Sequence, residues 1–139
     1  MSLQPATIDQ LQEAVRSQPR LLPRGNGSKV PLATPPGDVA SLHLAELAGV
    51  LDYEPGEFTF TALAGTPVSE VNRLLAEHGQ YLPFDPPLVK RGATLGGVVA
   101  AGTSGPLRYR YGGVRDFLIG VRVVDGRGQL VRAGGKVVK

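Results

Sequence analysis

Ile8, Leu11, Ala14 and Val15 recur at the three-to-four spacing that places them on one face of a helix. Thr7 stands just before them and Gln10 three residues further on. That is the pattern of a capping box, in which each side chain takes up a free backbone N–H of the first turn. Pro19 ends this helix, because its ring removes a donor and clashes with the preceding turn. A short strand is predicted at Arg20–Pro23, and the stretches "VASLHLAEL" (39–47) and "EFTFTALAG" (57–65) also read as strands. In the second of these, Phe58, Phe60 and Ala62 alternate with Thr59 and Thr61, which predicts a half-buried strand. Thr66 as N-cap and Pro67 at the first position open a second helix. Val68, Val71, Leu74 and Leu75 form its inner face, and Gly79 stands just past its end. Pro83, Pro86 and Pro87 keep "YLPFDPP" extended. After a small-residue stretch and a basic loop, "RYRYGGVRD", come two strands, "FLIGVRVVD" (117–125) and "QLVRAGG" (129–135). The turn between them is Gly126-Arg127-Gly128. Helix, strand, loop, strands, helix, long loop, strands is an α+β order, not a regular alternation of strand and helix.

Composition narrows the chemistry. The 139 residues are the size of one domain. With no Cys, the chain has no disulfide, no thiolate nucleophile and no cysteine metal site. Neither a histidine acid/base pair nor a metal-ligand cluster stands out, so no catalytic residue and no metal site is assigned. No apolar run is long enough to span a membrane. "MSLQPATIDQ" shows neither the basic nor the apolar region of a signal peptide, and the expected location is the cytoplasm. Gly-Gly pairs at 96, 112 and 134 are unevenly spaced, so no repeat is read.

Charge is divided unevenly. Residues 1–89 carry five Lys/Arg against ten Asp/Glu, a net −5; residues 90–139 carry ten against two, a net +8. A basic half points to an anionic ligand, a nucleic acid or an acidic neighbour. It fits equally a basic half that faces the acidic half of the same chain. Nucleic acid is disfavoured, because aromatics for stacking bases make up only 6% of the chain and the cations lie mostly along expected strands.

Two glycine-rich stretches carry the candidate chemistry. The first, Arg24, Gly25, Asn26, Gly27, Ser28 and Lys29, has glycines where backbone N–H groups would cradle an anion, with a cation at each end. It is neither a dinucleotide fingerprint nor a Walker loop. Position 30 is Val, and Pro31, Pro35 and Pro36 forbid the helix a fingerprint needs. Taken alone it fits an ordinary tight hairpin better than a site. The second stretch, Gly92–Gly105, has one tight turn at Thr94–Gly97 and another at Gly102, Thr103, Ser104 and Gly105, with "VVAA" between them as a short buried helix. Alone it fits close packing of small residues as well as it fits a ligand. Two such loops in one small domain suit an extended ligand with a pyrophosphate at its middle.

The order and spacing of "PRGNGSK", "VSEVNRLLAEHGQYLPFDPP" and "GATLGGVVAAGTSGPLRYRYGGVRDFLIGVRVVDGRGQLVRAGGKVVK" resemble the FAD-binding domain of the vanillyl-alcohol oxidase/PCMH-type flavoprotein family. Within that family the likeness is to FAD-binding subunits of bacterial glycolate oxidases. The resemblance implies two small α/β subdomains, residues 1 to about 80 and about 81 to 139, the second incomplete at its C-terminus, with FAD between them. It implies that Arg24–Lys29 hold the pyrophosphate and that Thr94, Gly96 and Gly97 lie along the ribityl–pyrophosphate region. Gly102, Thr103, Ser104 and Gly105 would be near the flavin, with Asp85 and Pro86 at the start of the second loop. Gly112 would allow close backbone approach, and Asp116 would fix that turn. Arg108, Tyr109 and Arg110 are read as a cofactor-edge cluster or a solvated face, the face being favoured. Relatives that attach FAD covalently use His or Cys near these loops. Here there is no Cys, and His43 and His78 lie elsewhere, so FAD is expected to be non-covalent. The implied partners are other subunits of a glycolate oxidase-like complex, through which the chain would sit peripherally at a membrane. Strands lacking their usual neighbours are an expected route to self-association. An assembly subunit that keeps the fold but holds no flavin is the alternative.

Overall fold

The computed structural model describes residues 1–29 and 37–136. The prolines at positions 31, 35 and 36 lie outside the described residues, as do the last three positions. The first helix, α1 (Ile8–Ser17), is capped as its sequence requires. Thr7 Oγ1 accepts from Gln10 N at 3.2 Å, and Gln10 Oε1 accepts from Ala6 N at 2.8 Å, one residue further back than a standard box. Three short strands form a parallel sheet in the order β1 (Ser2–Leu3), β3 (Ala40–His43), β2 (Leu21–Arg24). Its register sets Arg24 opposite His43, so β2 delivers the first glycine loop from the end of a paired strand.

An antiparallel hairpin follows, β4 (Val50–Glu54) with β5 (Thr59–Ala62). The alternation in "EFTFTALAG" is right about β5 and wrong about Phe58. Phe58 takes a left-handed φ of +54° at the end of a 3₁₀ turn over Pro55–Glu57 and is 80% exposed. Its position in the turn overrides the hydrophobic pattern. β4 is not visible in the periodicity, because its residues are exposed or half-buried and Leu51 falls in a register irregularity.

The second helix, α2 (Val68–Ala76), begins one residue later than expected, with Pro67 at the cap and no side-chain capping bond. Thr66 is fully buried instead. Its Oγ1 accepts from Gly49 N at 2.9 Å and donates to Leu63 O at 2.7 Å. A hydroxyl at that depth needs both lone pair and proton occupied, and the loop carbonyls win over the helix end. Val68, Val71 and Leu75 pack against Leu82, Phe84, Ala93, Val98 and Val114. Burying each of these aliphatic side chains contributes about 1.5–3 kcal/mol. This core joins both sides of residue 80.

Beyond the core the chain is more helical than its glycine content predicts. "YLPFDPP" contains a turn as well as extended backbone, with Asp85 N bonding Leu82 O at 3.1 Å. The "VVAA" segment, expected as a buried helix, belongs to α3 (Leu95–Ala101), where only Val98 is buried and Val99, Ala100 and Ala101 are exposed. The basic loop folds as two short helices, α4 (Arg108–Tyr111) and α5 (Val114–Phe117), which shortens the following strand to β6 (Gly120–Val124). β6 pairs with β7 (Leu130–Gly134) through a turn held by Asp125, whose Oδ1 accepts from Arg127 N and Gln129 N at 2.9 Å each. The tip rests on α1, where Gln12 Nε2 and an Arg16 guanidinium N–H both donate to Gly128 O at 2.9 Å. Val121, Val123, Leu130 and Val131 of this hairpin remain exposed.

Candidate functional site

The two glycine loops, about seventy residues apart in sequence, meet. A Cβ built on Gly25 would collide with Thr94 Oγ1 and lie 3.1 Å from Thr94 Cγ2. Only a residue without a side chain lets the first loop come this close. Asn26 Nδ2 donates to Gly92 O at 3.1 Å, which ties the loop to the start of the second stretch. On the far side, Lys29 Nζ is 3.7 Å from a Cβ built on Gly97. The first loop therefore lies against the N-terminus of α3, with Gly25 on Thr94, Asn26 tied to Gly92 and the Lys29 ammonium beside Gly97.

The availability of backbone donors separates the two loops. At α3 every early N–H is used inside the protein. Leu95 N bonds Thr66 O at 2.9 Å, Gly96 N bonds Ala64 O at 2.8 Å, Gly97 N bonds Thr94 Oγ1 at 3.3 Å, and Val98 N bonds Thr94 O at 3.0 Å. Gly96 is glycine for packing, because its Cβ would stand 2.7 Å from Ala64 Cβ and 2.9 Å from Ala64 O. Among the described residues, by contrast, no protein acceptor takes the N–H groups of Gly25, Asn26, Gly27, Ser28 or Lys29. Gly27 adopts φ +67°, with open space where a Cβ would stand. A positive φ within such a turn is one element of an anion nest, and Ser28 beside it is buried.

The second turn of the stretch is held from three directions. Gly102 adopts φ +61° at the end of α3, and Thr103 N bonds Val98 O at 3.2 Å. Ser104 Oγ accepts from Val114 N at 3.0 Å, and Ser104 O accepts from an Arg108 guanidinium N–H at 3.1 Å. Gly105 N bonds Asp85 O at 2.7 Å, so close that any side chain at 105 would strike Asp85. Asp85, next to Pro86, holds φ +52°, an unusual value for a residue with a side chain. Gly112 adopts φ +100°, and a Cβ there would lie 2.6 Å from Asp116 Oδ2, which itself accepts from Gly113 N at 2.8 Å. Asp116 thus fixes that turn. Within this rigid setting Thr103 Oγ1 is buried and has no hydrogen-bond partner. An orphaned hydroxyl of this kind costs about 1–3 kcal/mol unless something supplies the missing bond.

The structure thus brings Arg24–Lys29 to Gly92, Thr94 and Gly97, and Gly102–Gly105 to Asp85. Arg108, Tyr109 and Arg110 are exposed on α4. His43 is a strand residue opposite Arg24, and His78 packs edge-on against Tyr53 with ring centroids 5.3 Å apart. Sequence reasoning passed over the 64–66 connection, whose carbonyls anchor α3. The signal was there in the small pair Ala64-Gly65 between a strand and a helix. A Cβ on Gly65 would fall 2.8 Å from Leu47 O. No group of three or more His, Cys, Asp or Glu that could hold a metal occurs among the described residues.

An α+β chain with an open backbone nest, an orphaned hydroxyl and cradles too tight for a Cβ fits a long ligand bearing phosphate and polar ring atoms. The family model described as FAD binding domain matches residues 1–134, and the chain belongs to that family, with FAD as its cofactor. The chain is similar to glycolate oxidase subunit GlcE of Escherichia coli, with 37% identity over 134 residues. That match takes in 96% of this chain and 38% of the relative. It is also similar to glycolate oxidase subunit GlcD of Bacillus subtilis, at 29% identity over 86% of this chain and 25% of the relative. The chain therefore spans well under half the length of these relatives. Among solved structures, a variant of Phl p 4 described as a glucose oxidase superposes with a TM-score of 0.77 at 20% identity, over 94% of this chain and 28% of that one. Alkyldihydroxyacetonephosphate synthase does so with 0.73 at 22%, over 97% and 26%. At these identities the likeness shows the fold, and the PCMH-type α+β architecture implied by the motifs is borne out.

Proposed function

We propose that this chain is the cofactor-binding part of a flavin-dependent oxidase or dehydrogenase of 2-hydroxy acids, glycolate among them, and that it holds FAD non-covalently. The observation that carries this reading is the run of N–H groups from Gly25 to Lys29 that meet no acceptor among the described residues, in a loop docked on Thr94. In this reading that backbone meets the pyrophosphate, and the cations of Arg24 and Lys29 offset its charge. Gly96 and Gly97 contribute room rather than donors, since their N–H groups are already used. Thr94 positions the first loop. Gly102, Thr103, Ser104 and Gly105 line the flavin side, where the Thr103 hydroxyl gains its missing partner. Asp85 and Pro86 set the entry to that turn, and Gly112 allows close approach of the backbone.

The chemistry supplied by bound FAD is acceptance of a hydride from the hydroxy-acid carbon, and the protein contributes binding, orientation and electrostatics. No catalytic residue is assigned in this chain. The names of its relatives, glycolate oxidase subunits and a D-2-hydroxyglutarate dehydrogenase of Xanthomonas citri, support the substrate class. They also support partner subunits of a glycolate oxidase-like complex. A cytoplasmic location is part of the same proposal; among the described residues no helix is long and apolar enough to cross a membrane. A division near residue 80 belongs to the same proposal, as does self-association through the exposed β6–β7 hairpin.

The test is reconstitution. The chain is incubated with FAD and desalted, and its flavin absorbance and circular dichroism are recorded. Retained flavin on a folded chain is expected. A folded chain that keeps none overturns the reading in favour of an assembly subunit.

A further inference from the structure

We propose that the arginine–tyrosine surface of α4 is the docking face for an acidic patch on a partner protein. Tyr109 is 84% exposed, and Leu107 and Tyr111 are exposed beside it. The Arg108 guanidinium lies 5.0 Å from the Tyr109 ring centroid, and that of Arg110 lies 5.2 Å from Tyr111. Tyr81 meets Tyr111 edge-on at 6.4 Å. The surface therefore carries two arginine–tyrosine pairs: the Arg108 guanidinium donates to Ser104 O at 3.1 Å and to the Tyr109 hydroxyl at 3.3 Å, whereas that of Arg110 has no acceptor among the described residues and is left for an incoming one.

Charge names the acceptor. Four ion pairs occur among the described residues, and only Lys136–Asp52 joins the basic half to the acidic half. Among the described residues, then, one cation of residues 90–136 is paired with a carboxylate, and Arg108 and Arg110 are not. Arginine and tyrosine around an apolar residue are the composition of protein–protein hot spots. A membrane surface calls for clusters of 4–8 Lys/Arg, and this patch has two. Single-stranded nucleic acid calls for a run of phosphate-contacting cations beside its stacking rings, and this patch has two arginines, one of them tied to Ser104. The patch adjoins the second glycine loop through the Arg108–Ser104 bond. A partner seated here therefore lies beside the loop read as the flavin side. The docking itself does not depend on that reading.

The test uses the full chain in the cells that produce it, with Tyr109→p-benzoylphenylalanine as a photo-crosslinker. The same change at Phe58, an exposed aromatic on the β4–β5 tip, is the control. The expected result is one crosslinked protein, joined through a peptide rich in Asp and Glu and absent from the Phe58 control. Titration of that protein against the Arg110→Glu chain should show affinity lowered about thirtyfold or more, and Arg110→Lys should lose part of it. Arg108 is left unaltered because it bonds the Ser104 carbonyl. Circular dichroism and flavin retention, measured on the same variants, separate a failure of docking from a failure of folding or of FAD binding. Crosslinks to lipid or nucleic acid, crosslinking no greater than at Phe58, or full affinity in Arg110→Glu would each overturn the proposal.

Discussion

The contact between Gly25 and Thr94 can be tested with a double-mutant cycle. Gly25→Ala places a methyl against Thr94, on top of Oγ1 and 3.1 Å from Cγ2. Overpacking of this kind costs about 1–3 kcal/mol. The reduced freedom of the unfolded chain returns about 0.4–1 kcal/mol, because Gly25 has no positive φ that alanine would resist. A net loss of about 1–2 kcal/mol is expected. Thr94→Ala removes the side chain that caps Gly97 N and costs about 1 kcal/mol. In the double variant the methyl at 25 meets only the Cβ at 94, 3.3 Å away, a tight contact without the collision. Most of the Gly25→Ala penalty should then disappear, leaving the double variant about as stable as Thr94→Ala alone. The coupling is about 1 kcal/mol or more, well outside the roughly 0.3–0.5 kcal/mol within which independent sites add. Urea unfolding followed by circular dichroism resolves it. With slopes of about 1–3 kcal/mol per molar urea, Gly25→Ala moves the midpoint by roughly 1 M. Additive losses would mean that the two loops do not touch as described, and the composite site would lose its basis. Gly25→Ala is also expected to weaken FAD retention, because it displaces the loop whose N–H groups are free.

Other outcomes follow from the same geometry. Gly96→Ala should lower stability by about 1–3 kcal/mol in urea unfolding despite alanine's better helix propensity, because Ala64 O cannot retreat without losing its bond to Gly96 N. Thr103→Val should leave the flavin-free chain as stable as the wild type or slightly more so, since the hydroxyl it removes has no partner. FAD titration should show the same variant binding less tightly. Asp125 is held below its ordinary 3.8 by the N–H groups of Gln129 and Arg127. Its contribution to the β6–β7 turn is therefore fully present above that value and is lost as pH falls through the lower folded one. Amide exchange of the hairpin should accelerate across that window in the wild type, and Asp125→Asn should remove the pH step. A hairpin insensitive to acid would refute this role.

Much of the local structure was legible in the chain. Thr7 and Gln10 announce α1, the spacing of Val68, Val71 and Leu75 announces α2, and Gly126 to Gly128 announce the last hairpin, because each depends on neighbours within a turn or two. Phe58 was misread because a local turn overrides the alternation, and Thr66 and the second helix of the basic loop because their partners lie further along the chain. Phe58 follows its turn, Thr66 is claimed by carbonyls at 49 and 63, and α5 is fixed by Asp116 and by Ser104, ten residues before Val114. Propensity and periodicity carry no information about partners that distant.

The candidate site divides along the same line. Sequence alone determined that two glycine stretches exist, that the first is neither a Rossmann nor a Walker loop, and that their order and spacing resemble a FAD-binding family. Only the tertiary structure decided which amides remain free. The glycines at 96 and 97 look as suited to phosphate as those at 25 and 27, yet Ala64 and Thr94 have taken their N–H groups. A peptide N–H is available to a ligand only where the fold supplies no nearer acceptor, and the nearest acceptor is set by packing between segments far apart in the chain.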